Sequence, residues 1–125
     1  MQAVQTPKAP KAIGPYSQAV AAGPLLFISG QLGLDPETGD LAPSFPAQAR
    51  RALENVRAIL QAANLDMGHV VKCTVFVADL KAFAELNVVY QGFFTAPYPA
   101  REVVQAARLP KDALIEISAI ASVEE

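Results

Sequence analysis

Two charged side chains stand in apolar, strand-like runs near the end of this 125-residue chain. Glu116 lies between Ile115 and Ile117, and Arg101 opens the preceding run. Because strand side chains alternate between two faces, Glu116 shares its face with Ser118. A carboxylate is rarely placed on a buried sheet face without a partner. Two interpretations follow: a buried or rim ion pair with Arg101, or a pocket with a fixed cation and a general acid or base.

Other polar residues stand where they could complete such a pocket. Tyr16 and Ser17 come just before one apolar run, and Ser29 and Gly30 lie at the end of another. Asn87 lies beside the apolar stripe of a helical segment, and Gly30 would let a ligand approach the backbone closely. Each also has an ordinary structural explanation, as a surface aromatic, a turn former or a solvated helix position. Their significance depends on whether the fold brings them together.

The first half of the chain predicts two strands and a helix. Prolines in residues 1–15 indicate an irregular lead-in. The stretches "SQAVAAG" and "PLLFISGQLGL" are typical of two strands joined at a glycine-proline turn. Apolar residues then follow the 3, 4, 3, 4 spacing of one helical face, which predicts a helix over about 46–64 that Ser44 could cap.

The second half predicts three strands and another helix. "VVKCTVFVADL" predicts a strand over 70–77, and Asp79 can cap a helix over about 80–94. On that helix the residues expected to face inward are Phe83, Leu86, Tyr90 and Phe93. Two strands follow, over about 101–107 and 113–121. The order ββαβαββ predicts one α+β domain over residues 1–125, with a mixed sheet and two helices on one of its faces.

This arrangement leaves one face of the sheet without a cover. The strand predicted over 70–77 has apolar residues on both of its faces. Val71, Cys73, Val75 and Val77 are expected on one face, and Val70 and Phe76 on the other. Two helices can cover only one face. An exposed apolar face of this size should be buried by another subunit, so the pattern predicts an oligomer.

Composition excludes several classes of function. The net charge is -2 and the sequence pI is about 5.4, which argues against a nucleic-acid or anionic membrane partner. No apolar run approaches the roughly 20 residues of a membrane helix, and no secretory signal is recognisable. The single cysteine, Cys73, favours a reduced, cytoplasmic setting. One histidine and one cysteine exclude the common zinc frameworks, and His69 after Gly68 is better explained as a turn residue than as part of a triad.

Five blocks of the sequence resemble one known family. They are "GPYSQAV", "FISGQLGLDPETG", "VVKCTVFVADL", "NVVYQGFF" and "PAREVVQAARLPKDALIEISAIA", in this order between about Pro10 and Ala121. Together they are similar to the reactive intermediate deaminases, the RidA or YjgF-type proteins. The last block is the most specific: a proline-x-arginine followed by a glutamate between branched aliphatic residues.

The resemblance implies a fold, an assembly and an activity. The family fold is a chorismate-mutase-like ββαβαββ unit, assembled as a homotrimer with sheets inward, helices outside and a site in each of three clefts between subunits. The implied activity is hydrolysis of 2-imino acids, such as 2-iminobutanoate and 2-iminopropanoate, to 2-oxo acids and ammonia. Such imines and enamines escape from pyridoxal-phosphate enzymes, including threonine dehydratase. The resemblance implies no metal and no organic cofactor.

The family pattern also assigns roles to residues of this chain. Arg101 would hold the substrate carboxylate, and Glu116 would handle the water. The remaining positions that match the family's cleft are Tyr16, Ser29, Gly30, Asn87 and Val103. Close relatives often carry cysteine where this chain has Val103. The expected contact there is the backbone amide, which valine keeps, whereas thiol-based redox behaviour at that position should be absent.

An alternative without catalysis remains open. The same pocket could bind 2-oxo acids or other small metabolites without turnover, and family members have been described as translation inhibitors, ribonucleases and chaperones. Retention of both Arg101 and Glu116 favours the deaminase, because binding a carboxylate needs only the arginine.

Overall fold

The computed structural model describes residues 1–124. They form one six-stranded sheet and two α-helices. The strands are β1 (Gln2–Val4), β2 (Ala19–Ala22), β3 (Leu25–Leu32), β4 (Val70–Val77), β5 (Ala100–Gln105) and β6 (Ile115–Ser122), and the helices are α1 (Phe45–Ala62) and α2 (Phe83–Gln91). The predicted α+β fold, with two helices on one face of a mixed sheet, is confirmed.

The strand order of the sheet is β1-β2-β3-β6-β4-β5. All neighbours are antiparallel except β4 and β5, which are parallel and joined through α2. The last strand therefore lies in the middle of the sheet, between β3 and β4. In contrast, β5 forms a free edge.

The first helix, α1, supplies most of the cover for the sheet. Ser44 caps it, because the Ser44 hydroxyl accepts a hydrogen bond from the Ala47 N–H at 3.3 Å. Its apolar side packs on β3, β6 and α2. The fully buried residues on that side include Ala52, Leu53, Val56, Ile59 and Leu60. The predicted helix and its cap are confirmed, with bounds that differ by one or two residues.

The second helix differs from its prediction. Asp79 caps a short 3-10 turn, Leu80–Ala82, rather than the α-helix itself. The α-helix starts only at Phe83 and ends at Gln91 instead of about residue 94. Leu86 and Tyr90 face the core as predicted, but Phe83 is 44% exposed, so its inward placement is wrong. A 3-10 turn has three residues per turn instead of about 3.6, so the side chains at the start of the α-helix point in other directions than a single long helix would give them.

The helices cover one face of the sheet and leave the other open. Cys73, Val75 and Val77 of β4 face the helices and are buried. Val71 is exposed, because a register shift against β6 between Val70 and Lys72 reverses the alternation at that point. The prediction that Val71 shares a face with Cys73 is therefore wrong.

The lead-in is also more ordered than the sequence indicates. Residues 1–15 were expected to be irregular, but β1 pairs with β2 at the outer edge of the sheet. Within residues 1–124, no helix is both long and apolar enough to cross a membrane. The same residues contain no group of three or more His, Cys, Asp and Glu side chains that could hold a metal ion.

Candidate active site

Glu116 lies on the open face of the sheet. It stands opposite Leu32 of β3 and Phe76 of β4, and it is half-buried. Burial raises the pKa of this carboxyl above its usual range, and no charge or hydrogen bond from residues 1–124 offsets that effect. A carboxyl group with a raised pKa and unused oxygens is suited to exchange a proton with a ligand.

A β-bulge makes room for the Glu116 carboxyl. Ser29 and Gly30 form the bulge in β3, where the pairing with β6 shifts between Ile28 and Gln31. The Gln31 side-chain amide donates to the Ser29 carbonyl at 3.1 Å. A Cβ atom on Gly30 would stand 2.8 Å from Cδ of Glu116, closer than carbon atoms pack. Gly30 is thus required by the neighbouring side chain rather than by its own backbone angles.

The Ser29 hydroxyl is engaged within the chain. It donates to the Ser17 carbonyl at 2.6 Å, and the Ser29 N–H donates to the Gln18 carbonyl at 2.9 Å. Both bonds tie the bulge to the segment just after Tyr16. Tyr16 is itself 52% exposed and faces the same cavity as Gly30 and Glu116.

Gln18 is a site-supporting residue that the sequence analysis did not identify. It is buried, and its side-chain amide donates to the carbonyls of Thr6, Ala9 and Pro10 at 3.1, 3.3 and 2.8 Å. Its Oε1 atom accepts from the Thr6 N–H at 2.7 Å. One side chain thereby fixes the lead-in as a wall of the cavity. The period-two pattern carries no signal for it, because a buried glutamine and a solvated one look alike in sequence.

The cavity beside Glu116 has a volume of about 520 Å³. Its walls come from the lead-in, the turn after β3 and the turn before β6. The residues that line it include Tyr16, Gly30, Leu32, Pro110 and Lys111. This size is within the range of small-molecule sites.

Arg101 lies on the other face. It aligns with Cys73 in the parallel β4–β5 pair, and neighbours in register share a face, so its side chain is on the helix side. There the guanidinium carbon, Cζ, lies 4.7 Å from the ring centroid of Tyr90 and 5.5 Å from that of Phe83. These distances are typical of cation–π contacts.

One chain therefore does not bring Arg101 and Glu116 together. They occupy opposite faces of the sheet, β4 stands between their strands, and their registers on β4 differ, at Cys73 and Phe76. In the part of the chain that is described, no ion pair joins them. An ion pair within one subunit is thus not the reason for the glutamate in the apolar strand.

Val103 and Asn87 lie on the same side as Arg101. The Ala106 N–H donates to the Val77 carbonyl at 2.9 Å, and amide directions alternate along a strand. The amides of Arg101 and Val103 consequently point to the free edge of β5. Asn87 is half-buried on α2, and its spacing of four and three residues from Phe83 and Tyr90 places it on the helix stripe that contacts Arg101.

The site residues thus form two groups. Group one surrounds the Glu116 carboxyl: Glu116, Tyr16 and Gly30 line one cavity, and Ser29 is next to Gly30 in the bulge without lining it. Group two is at the β5 edge and consists of Arg101, Val103 and Asn87. His69 belongs to neither group, because its Nδ1 atom accepts from the Asp66 N–H at 3.1 Å and closes a turn. It is the turn residue that the sequence predicts.

The chain is similar to proteins of known family over nearly its whole length. Residues 6–123 match the family described as Endoribonuclease L-PSP. A 2-iminobutanoate/2-iminopropanoate deaminase of Salmonella typhimurium is 54% identical over 121 residues, 94% of each chain. The putative reactive intermediate deaminase TdcF of Escherichia coli is 50% identical with the same coverage.

Solved structures show the same similarity. A RidA from an Antarctic Psychrobacter species superposes with a TM-score of 0.95 at 49% identity, covering 98% of this chain and 99% of that one. Escherichia coli TdcF with bound serine gives a TM-score of 0.94 at 49% identity, with 98% of both chains covered. The chain belongs to the Endoribonuclease L-PSP family, that of the reactive intermediate deaminases.

Proposed function

We propose that this protein hydrolyses 2-imino acids to 2-oxo acids and ammonia, in clefts between the subunits of a homotrimer. The observation that carries the proposal is the half-buried Glu116 carboxyl, which pairs with no charge in residues 1–124 and faces a cavity of small-molecule size. It agrees with the names of two relatives, 54% and 51% identical, which are 2-iminobutanoate/2-iminopropanoate deaminases.

A second copy of the chain is needed to complete the site. Group one and group two are separated by the sheet itself, so a small substrate could not touch Arg101 and Glu116 of one chain. The open face also carries uncovered apolar side chains, with Phe27 43% and Val104 46% exposed. A neighbouring subunit that covers this face with its own β5 edge would bury them and place its Arg101 near Glu116. Three such contacts close a ring.

Arg101 supplies what the substrate carboxylate requires. A guanidinium presents N–H donors in a planar fork, which matches the two oxygens of a carboxylate. The outward amides of β5, including that of Val103, add neutral donors at the same edge. Together they would fix the imino acid with its reacting carbon towards the neighbouring subunit's carboxyl.

Glu116 supplies the proton transfers. A water molecule adds to the imine carbon while the carboxylate accepts its proton. The protonated carboxyl then passes that proton to the nitrogen. The carboxylate then takes the hydroxyl proton of the resulting carbinolamine and gives it to the amine, which leaves as ammonia while the oxygen becomes the carbonyl of the 2-oxo acid. A pKa raised by burial brings the carboxyl nearer to neutral pH, where general acid–base groups act best. These steps draw on no cofactor.

Binding without turnover is the second candidate. A solved relative, Escherichia coli TdcF, is described with bound serine, an amino acid that carries the same carboxylate. A pocket of this type could hold a 2-oxo acid as a regulatory ligand. RNA is a weaker candidate partner in spite of the family description, because the net charge is -2 and the pI is about 5.4. We place the protein in the cytoplasm, consistent with its single buried thiol.

The test is ammonia release from freshly generated 2-iminopropanoate and 2-iminobutanoate. Wild-type protein should accelerate this release. Glu116→Gln should lower the catalysed rate by a factor of about 10²–10⁴ and still bind pyruvate. Glu54→Gln is the matched control, since Glu54 is a carboxylate on the outer side of α1. Pyruvate binding with no acceleration by the wild type would favour the binding protein and overturn the deaminase.

A further inference from the structure

The Arg101 guanidinium lies against two aromatic rings. Its Cζ atom lies 4.7 Å from the Tyr90 centroid and 5.5 Å from the Phe83 centroid. Within residues 1–124 its guanidinium makes no ion pair, and no side-chain hydrogen bond links it to a neighbour. The direction of this cation is therefore set by the two rings.

The Tyr90 ring is a rigid support. Tyr90 is only 5% exposed and packs on Phe94, with ring centroids 4.6 Å apart. Its hydroxyl lies beside the buried Cys73 thiol and makes no hydrogen bond of good geometry. A hydroxyl without a well-formed hydrogen bond contributes little to stability. The contribution of Tyr90 therefore comes mainly from the face of its ring.

Phe83 has an unusual position for a structural aromatic residue. It is 44% exposed at the first turn of α2, so it gains only part of the stabilisation that burial provides. Its ring lies against the guanidinium, at the edge of the helix-covered face. Contact with Arg101 is the interaction that this placement does provide.

A support made of ring faces has a chemical consequence that a carboxylate support would not have. A carboxylate binds the N–H edge of a guanidinium and uses up its donors. A ring attracts the cation through its π face and leaves those donors available. An arginine held in this way has a fixed orientation and keeps its N–H donors free, and the binding of a substrate carboxylate requires both.

We propose that Phe83 and Tyr90 are positioning residues, whose rings orient the Arg101 guanidinium for the substrate carboxylate. This inference rests on the proposed function, because it takes Arg101 as the carboxylate-binding group. Neither ring touches the reacting atoms in this scheme. Their removal should therefore weaken ligand binding and raise KM, and leave kcat nearly unchanged.

The chain offers a matched control. Arg57 lies 5.1 Å from the ring centroid of Phe93, which is the same kind of contact on a different arginine. Phe93 also packs against the core, as Tyr90 does, so its replacement tests the general cost of losing an aromatic ring. Arg57 is on α1 and belongs to neither group of site residues.

The experiment measures pyruvate affinity by calorimetry, with KM and kcat for imine hydrolysis measured on the same samples. Phe83→Leu and Tyr90→Leu should each weaken pyruvate binding by about 3- to 30-fold. Tyr90→Phe keeps the ring and should bind as wild type, and Phe93→Leu should change melting but not affinity. If Tyr90→Leu fails to fold, the half-exposed Phe83 carries the test alone.

A double-mutant cycle separates positioning from general packing. In an Arg101→Ala background, Phe83→Leu should have no further effect on pyruvate affinity. Wild-type affinity in the Phe83→Leu and Tyr90→Leu variants, with loss of binding in Arg101→Ala, would overturn this inference and leave the proposed function intact. Unchanged binding in Arg101→Ala would instead overturn the carboxylate site of the proposed function itself.

Discussion

A cleft that takes Arg101 from one subunit and Glu116 from the next can be rebuilt from two inactive variants. In the proposed homotrimer, Arg101→Ala would remove the carboxylate-binding group from every cleft, and Glu116→Gln would remove the proton-transfer group. A mixed trimer differs from both. Where an Arg101→Ala chain supplies the glutamate and a Glu116→Gln chain supplies the arginine, the cleft contains both wild-type side chains.

The expected recovery follows from the geometry of a ring. In the proposed ring each subunit gives Arg101 to one neighbour and Glu116 to the other, so every mixed trimer would have one intact cleft and two inactive ones. Random assembly from equal amounts makes about three trimers in four mixed, and the preparation should recover about a quarter of the wild-type rate. A site built within one chain would recover nothing.

The assay is imine hydrolysis after co-expression of the two variants with different tags. Purification over both tags selects mixed trimers, in which about a third of the wild-type rate is expected. The control pairs Arg101→Ala with an Arg101→Ala/Glu116→Gln chain, in which no cleft can obtain the arginine. A mixed preparation no more active than its parents would refute the placement of Arg101 and Glu116 on different subunits.

Four further outcomes test the assembly and the roles of single residues. Sedimentation equilibrium at micromolar concentration should give about three chains per particle, and a stable monomer would exclude the intersubunit site. Arg101→Lys keeps the charge but loses the fork, so kcat/KM should fall by an amount equivalent to about 1.5–3 kcal/mol with unchanged melting, whereas an unchanged kcat/KM would make the arginine structural. Burial raises the pKa of Glu116 from 4.5, its value without the fold, so the folded state holds this proton more tightly and its stability falls as pH rises between the two values. Glu116→Gln should therefore melt at or above the wild-type temperature at pH 7, with no difference below about pH 4. A much lower melting temperature would instead indicate that Glu116 is held in an ion pair with Arg101 of a neighbouring subunit. Gly30→Ala would place a methyl group 2.8 Å from Cδ of that side chain and should lower kcat by displacing it, and wild-type kcat would show that the carboxyl position is not critical.

Local periodicity was sufficient to predict most elements and to predict that Glu116 shares its face with Ser118. The strict alternation in β6, with Ile115 and Ile117 buried on the helix side, is the reason. Shifts in the register between strands could not be predicted from local periodicity. The shift beside Val71 reverses its face through a change in pairing with another strand, which no local pattern records. Three residues of β1 are also too few to show a period.

The relation between Arg101 and Glu116 could not be predicted from their order in the sequence. Their strands follow one another along the chain, which suggests neighbours. In the structure β6 pairs with β3 and β4, and β5 lies beyond β4 at the edge. Nonlocal pairing decides both the distance and the face. The sequence therefore predicted an oligomer from the uncovered sheet face, but not that Arg101 and Glu116 lie on opposite faces of one chain.

The position of the single thiol has a consequence for an enzyme whose substrates are electrophiles. Imines and the unsaturated enamines from which they arise can be attacked by thiolates, and an enzyme with a reactive cysteine in its cleft would risk covalent self-inactivation. Cys73 is fully buried, and burial raises the pKa of its thiol, which keeps it protonated and unreactive. At the β5 edge, Val103 offers only its amide. The cleft that we propose would thus contain no sulfur nucleophile that its own substrate could trap.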